Sequence, residues 1–148
     1  MPGQPDTELG TAAAIIVLDP NTQPSNLIVD RELEFSVAME FTISGISSFL
    51  LGYLQFEVVY TYESIGRAFG AAEGTLGTKA GNTRAGKATY NHQGPLNEQT
   101  TYRVPANTLP AGVYRLSAVV TFKLGPIRQP IHWPLTGFTE SPAIQVTP

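Results

Sequence analysis

Three stretches of the chain alternate apolar and polar residues at a period of two, and no other feature constrains the fold as tightly. Leu33, Phe35, Val37, Met39, Phe41 and Ile43 are separated by Glu34, Ser36, Ala38, Glu40 and Thr42. Leu54, Phe56, Val58, Tyr60 and Tyr62 repeat the pattern, as do Tyr114, Leu116, Ala118, Val120, Phe122 and Leu124. Successive side chains on a strand point to opposite faces, so each stretch offers one face to a core and the other to water. A helix needs apolar residues spaced near 3.6, which none of the three shows. The pattern predicts an all-β, antiparallel domain.

At 148 residues the chain has the length of a single domain. Its charged share of 14% is low against the ~25% of ordinary globular proteins, and a net charge of −3 supplies no general attraction to nucleic acid or to an anionic membrane. Cysteine is absent, which excludes disulfides and thiolate metal sites and leaves the fold to rest on its core. The opening MPGQPDTELG has no basic segment, and the apolar run 12–18 falls short of the ~20 residues that span a bilayer. The expectation is no membrane insertion and, by default, a cytoplasmic location.

Read along the chain, residues 1–11 form a flexible tail and residues 12–148 the domain. A first strand covers 12–19, a second 31–43 and a third 51–63. Residues 64–86 carry six glycines and little apolar content, and read as one long loop. Short strands follow at 87–91 and 99–104, a long one at 113–124 and a last one at 143–147. Prolines 105, 110, 126, 130, 134 and 142 fall between these segments, where the missing N–H costs no ladder bond.

About seven strands with turn signals between them predict a single antiparallel β-sandwich. Leu109-Pro110-Ala111-Gly112-Val113-Tyr114 resembles the turn entering strand F of immunoglobulin-like and fibronectin-type sandwiches. In that superfamily a tyrosine at the start of the strand bonds back to upstream backbone, a role the resemblance assigns to Tyr114. It implies an immunoglobulin-like Greek key and no particular activity, since such folds host many functions.

Motifs that carry chemistry fail on context. Gly81-Asn82-Thr83-Arg84-Ala85-Gly86-Lys87 fits the phosphate-loop spacing G-x-x-x-x-G-K, but Ala88 stands where the Mg²⁺-binding hydroxyl belongs. No apolar strand precedes it and no helix can follow, so no helix N-terminus is there to hold an anion. His92 and His132 lie in no zinc-ligand spacing, and no G-x-S-x-G elbow occurs. The expectation is therefore a non-enzymatic protein with no cofactor and no metal.

Residues suited to contact are better represented. Ile15, Ile16, Val17 and Leu18 belong to a run without polar positions, which must be buried on both sides, under the chain's own loops or against a neighbouring molecule. If the third and sixth strands are neighbours, Val59, Val113 and Val119 leave an apolar strip on their solvent side. Arg67, Lys79, Arg84 and Lys87 make the glycine-rich segment locally basic, as a solvated loop or as a loop for an anion or partner. Trp133, beside His132 and between Pro130 and Pro134, reads as a loop anchor or as an exposed contact in a loop at the end of the sandwich. The function expected is that of a structural or protein-interaction protein, a self-assembling subunit whose partner is its own kind. The alternative is a small-ligand or glycan module using the end loops around Trp133. Nucleic acid is not an expected partner.

Overall fold

The computed structural model describes residues 8–9, 14–18, 27–44, 54–65, 73–82, 89–90, 100–124 and 131–148, and there is no helix among them. Their strands are β1 (Glu8–Leu9), β2 (Ala14–Leu18), β3 (Ile28–Asp30), β4 (Phe35–Ser44), β5 (Leu54–Ser64) and β6 (Glu73–Asn82). They continue as β7 (Thr89–Tyr90), β8 (Tyr102–Val104), β9 (Gly112–Leu124), β10 (Ile131–Glu140) and β11 (Ile144–Thr147). The protein is all-β.

The three alternating stretches become β4, β5 and β9, and the strands divide into two sheets. In the first, β4 pairs antiparallel with β1, β2, β7 and β8; Ser36 and Val37 pair with both β2 and β8, so those two strands flank it. In the second, the order is β3-β11-β9-β5-β6, with β10 alongside β9 next to β11. The expected neighbours β5 and β9 are paired along their whole length, from Leu54 opposite Leu124 to Ser64 opposite Tyr114.

Alternation fills one shared core. Phe35, Val37, Met39 and Phe41 from β4 pack in one cluster with Phe56, Val58 and Tyr60 from β5 and with Tyr114, Leu116, Ala118, Val120 and Phe122 from β9. Each large apolar side chain taken from water contributes roughly 1.5–3 kcal/mol, before the entropy of ordering the chain is charged against it. Phe41 sits at the centre of an aromatic nest, stacked on Tyr90 at 5.3 Å and edge-on to Phe56 and Phe122.

Several expectations are corrected. Residues 64–86 are not one loop: β6 occupies 73–82 and pairs with β5 from Gln55–Asn82 to Glu63–Glu73. The glycines there make room for rings. A Cβ on Gly81 would lie 2.4 Å from the Phe56 ring, on Gly77 2.1 Å from that of Tyr102, and on Gly74 2.9 Å from the Tyr62 hydroxyl. Residues 131–140, expected as a connection, form β10, which meets its one proline, Pro134, with an irregular register between Trp133 and Thr136. The sheets are not wholly antiparallel, because the unforeseen β3 runs parallel to β11. Glu8 and Leu9, inside the expected tail, pair with Ser44 and Ile43.

Two more concern β4, which begins at Phe35 rather than 31. Leu33 lies before it, 53% exposed, in a turn closed by the Leu33 N–H on the Asp30 carbonyl. Ser36 and Ala38, expected on the wet face, are buried.

Candidate functional site

Two places in the described residues depart from a simple apolar-in, polar-out strand: a polar relay inside the core and an apolar row outside it.

The relay lies where the partner of β4 changes. Phe41 and Thr42 pair with β7, and Phe35 to Val37 pair with β8, which leaves Met39 between the two segments. Its backbone groups are satisfied from elsewhere. The Met39 N–H donates to the Tyr60 hydroxyl at 2.8 Å, and the Thr100 hydroxyl donates to the Met39 carbonyl at 2.5 Å. Tyr60 in turn donates to the Thr100 carbonyl at 2.5 Å. Tyr60 and Thr100 are fully buried, so each group would otherwise carry its whole desolvation penalty. Burial pushes the Tyr60 hydroxyl above its ordinary value near 10, against the lowering effect of its hydrogen bonds. With both its donor and acceptor roles taken, this tyrosine joins the two sheets.

The outer face of the second sheet is different. On β5 and β9 the outward residues meet as cross-strand pairs: Gln55–Lys123, Glu57–Thr121, Val59–Val119, Thr61–Ser117 and Glu63–Arg115. β6 adds Thr78 beside Val59, and β10 adds Phe138 beside Val119. Phe138, Val119 and Val59 thus form a continuous apolar row across three strands, with the Phe138 ring 58% exposed. Open depressions of about 390 and 380 Å³ flank the row. The first is lined by Gln55, Glu57, Ala80, Thr121 and Lys123, the second by Thr61, Glu63, Glu73, Ser117 and Glu140. Two of the second depression's acids, Glu63 and Glu140, lie 3.6 Å and 3.9 Å from Arg115, with all three side chains about half exposed. Such pairs contribute little to stability in water and remain available to other partners.

The expected contact residues distribute as follows. Val59 and Val119 are directly paired at the centre of the outer face. Val113 is exposed in a separate row with Gln145 and the 58% exposed Ile28. Ile15, Ile16, Val17 and Leu18 lie in β2, paired within the chain to Met39, Ala38, Val37 and Ser36. Trp133 stands in strand β10 opposite Phe122 and not in an end loop, a correction to the expected position, and His132 stands opposite Lys123. Lys79 lies in β6 opposite Val58, half-buried, while Arg67, Arg84, Lys87 and His92 fall outside the described residues. The four cations therefore do not share one loop. Of the phosphate-loop look-alike, Gly81 and Asn82 close β6, and Gly81 faces the Phe56 ring. The Tyr114 hydroxyl donates to the Pro110 carbonyl at 2.8 Å, with its ring buried.

Phe138 is the contact residue that sequence reasoning misses, whereas opposite charges paired across the facing solvent sides of the third and sixth strands, Glu63 and Arg115 among them, are an expectation of the sequence. Phe138 was hidden because Pro130, Pro134 and Gly137 disguise its strand. Which charges face each other is set by the register, which brings Glu63 and Arg115 together from 52 positions apart. Among the described residues no cluster of His, Asp or Glu could hold a metal ion, and no helix is long and apolar enough to cross a membrane. Searched against family models, curated proteins and solved structures, the chain matches none.

Proposed function

We propose that this protein is a non-enzymatic, self-associating structural or interaction subunit built on an immunoglobulin-like Greek-key β-sandwich. The architectural half draws support from two sheets that share one core, from the parallel β3–β11 pair beside an antiparallel β9–β5–β6 array, and from the Tyr114–Pro110 bond. The functional half rests on one observation, the in-register row Val59–Val119–Phe138 on the solvent side of the second sheet. Isolated surface valines need no explanation, but three apolar side chains aligned across adjacent strands make a contiguous patch that gains from being covered.

Light scattering coupled to size-exclusion chromatography, run over a series of loading concentrations, tests the reading. A mass that rises with concentration supports a subunit. A strictly monomeric mass up to about 1 mM, a concentration that registers even a millimolar dissociation constant, overturns it.

A further inference from the structure

We infer that the outer face of the second sheet is a two-fold interface for a second copy of this chain, with the axis running along the strands between β5 and β9. The inference rests on the self-association reading and adds the surface, the symmetry and the contacts.

Charge selects the axis. Two copies packed face to face are related by an axis in the plane of contact, since a closed two-fold interface uses the same patch twice. An axis across the strands would set Lys123 of one copy over Arg115 of the other, at the ends of the same strand. An axis along the strands exchanges β5 with β9 and keeps each row on itself. It lays Val59 on Val119 of the second copy and Arg115 on Glu63, both pairs formed twice. Lys123 then meets Gln55, Glu57 meets Thr121, and Glu140 meets Thr75, so none of these charges sits directly over its like. The exposed Phe138 ring arrives over β6, whose outward residues there are the small Thr75, Thr78 and Ala80. Among the described residues Arg115 is held by two long, half-exposed contacts, so it can re-aim across the ~10 Å between stacked sheets.

Size sets the strength. From Arg115 to Lys123 the face spans eight residue steps at ~3.3 Å, and its four strands lie ~4.8 Å apart, a footprint of roughly 500 Å². Standard stable interfaces cover ~800 Å² per partner, so the pairing is reversible and not obligate.

Sedimentation equilibrium on the full chain, with circular dichroism to verify folding, tests this with three variants: Val119→Lys, Arg115→Glu and Glu63→Arg. Val119→Lys should weaken dimerisation about tenfold or more with an unchanged spectrum. Arg115→Glu and Glu63→Arg should each be monomeric alone, because each sets like charges together twice. Mixed one to one, they should dimerise again, since each copy then meets opposite charge at both positions. That rescue cannot come from the in-chain Arg115–Glu63 pair, which stays broken in both variants. If wild type dimerises, but Val119→Lys does so equally well or the mixture stays monomeric, this interface is wrong and self-association proceeds elsewhere. If wild type itself never dimerises, the reading beneath it fails too.

Discussion

Strands β5 and β6 are hydrogen-bonded neighbours, yet their sequences have little in common. β5 reads LQFEVVYTYES, with large residues at every second position. β6 reads EGTLGTKAGN, with a single apolar side chain larger than alanine. The difference is complementarity across the ladder. Phe56 and Tyr62 of β5 lie over Gly81 and Gly74, their direct cross-strand partners, and Tyr102 of β8 lies over Gly77. The remaining inward ring of that series, Tyr60, reaches instead to the Met39 N–H on the other sheet. Glycine in a strand normally weakens it, through backbone entropy and a missing contact. A ring from the adjacent strand restores the contact, as in the aromatic rescue used to stabilise designed sheets. An alternation test applied to one strand at a time sees only half of such a pair.

The comparison breaks first at Tyr60. If this ring serves the sheet-to-sheet relay, Tyr60→Phe should leave the Met39 N–H and the Thr100 carbonyl without their partner at full burial, at a cost of roughly 3 kcal/mol. A urea midpoint close to wild type would show that the relay is dispensable. The same hydroxyl predicts a pH dependence. Its folded value is raised above an unfolded value near 10, so its stabilisation is complete below about pH 10 and is lost as pH rises further. In the phenylalanine variant that part of the alkaline slope should vanish.

The next test is Gly81. Phe56 is boxed in by Phe41 at 5.4 Å and Tyr90 at 5.6 Å, so its ring has nowhere to retreat from a new methyl group. Gly81→Ala should cost about 2 kcal/mol by overpacking. In a Phe56→Leu background the same change should cost clearly less, and the coupling between the two positions measures how far the glycine is there for the ring. Equal costs in both backgrounds would remove the ring from the explanation. The corrected strand also changes the expected proteolysis. Lys79, paired opposite Val58, should resist trypsin in the native protein, and rapid cleavage there would contradict β6.

What was legible in the sequence follows from this geometry. β4, β5 and β9 each carry their own evidence in a period of two, so the strands and most of their inward residues could be read directly, while the partners of β4 could not. Tyr114 could be read as well, because the turn before it is local; Tyr114→Phe should cost about 1 kcal/mol for the bond to Pro110. β6 and β10 were hidden for opposite reasons: one lacks side chains that its neighbour supplies, the other carries a proline, Pro134, that its irregular register absorbs. The outer face was half legible. Val59 and Val119 belong to readable strands, whereas Phe138 extends their row from a strand the sequence conceals. Arg115 and Glu63 meet only once register is known.

The smallest expected effect separates the glycines of β6 from one another. A Cβ on Gly74 would meet the Tyr62 hydroxyl, the far end of a side chain that is only half-buried, at 2.9 Å. Tyr62 packs edge-on against Tyr114 at 6.0 Å, and its phenol end can swing outward. Relief of that contact is therefore cheap, and alanine also lowers the entropy of the unfolded chain relative to glycine by ~0.4–1 kcal/mol. The two terms nearly cancel, so Gly74→Ala should shift stability by less than about 0.5 kcal/mol. Gly81→Ala, in the fifth cross-strand pair on the other side of the bulge at Tyr60/Thr61 and under a ring that cannot move, should shift it several times more. Similar losses at both positions would mean that backbone conformation, and not the ring above it, is what holds glycine in this strand.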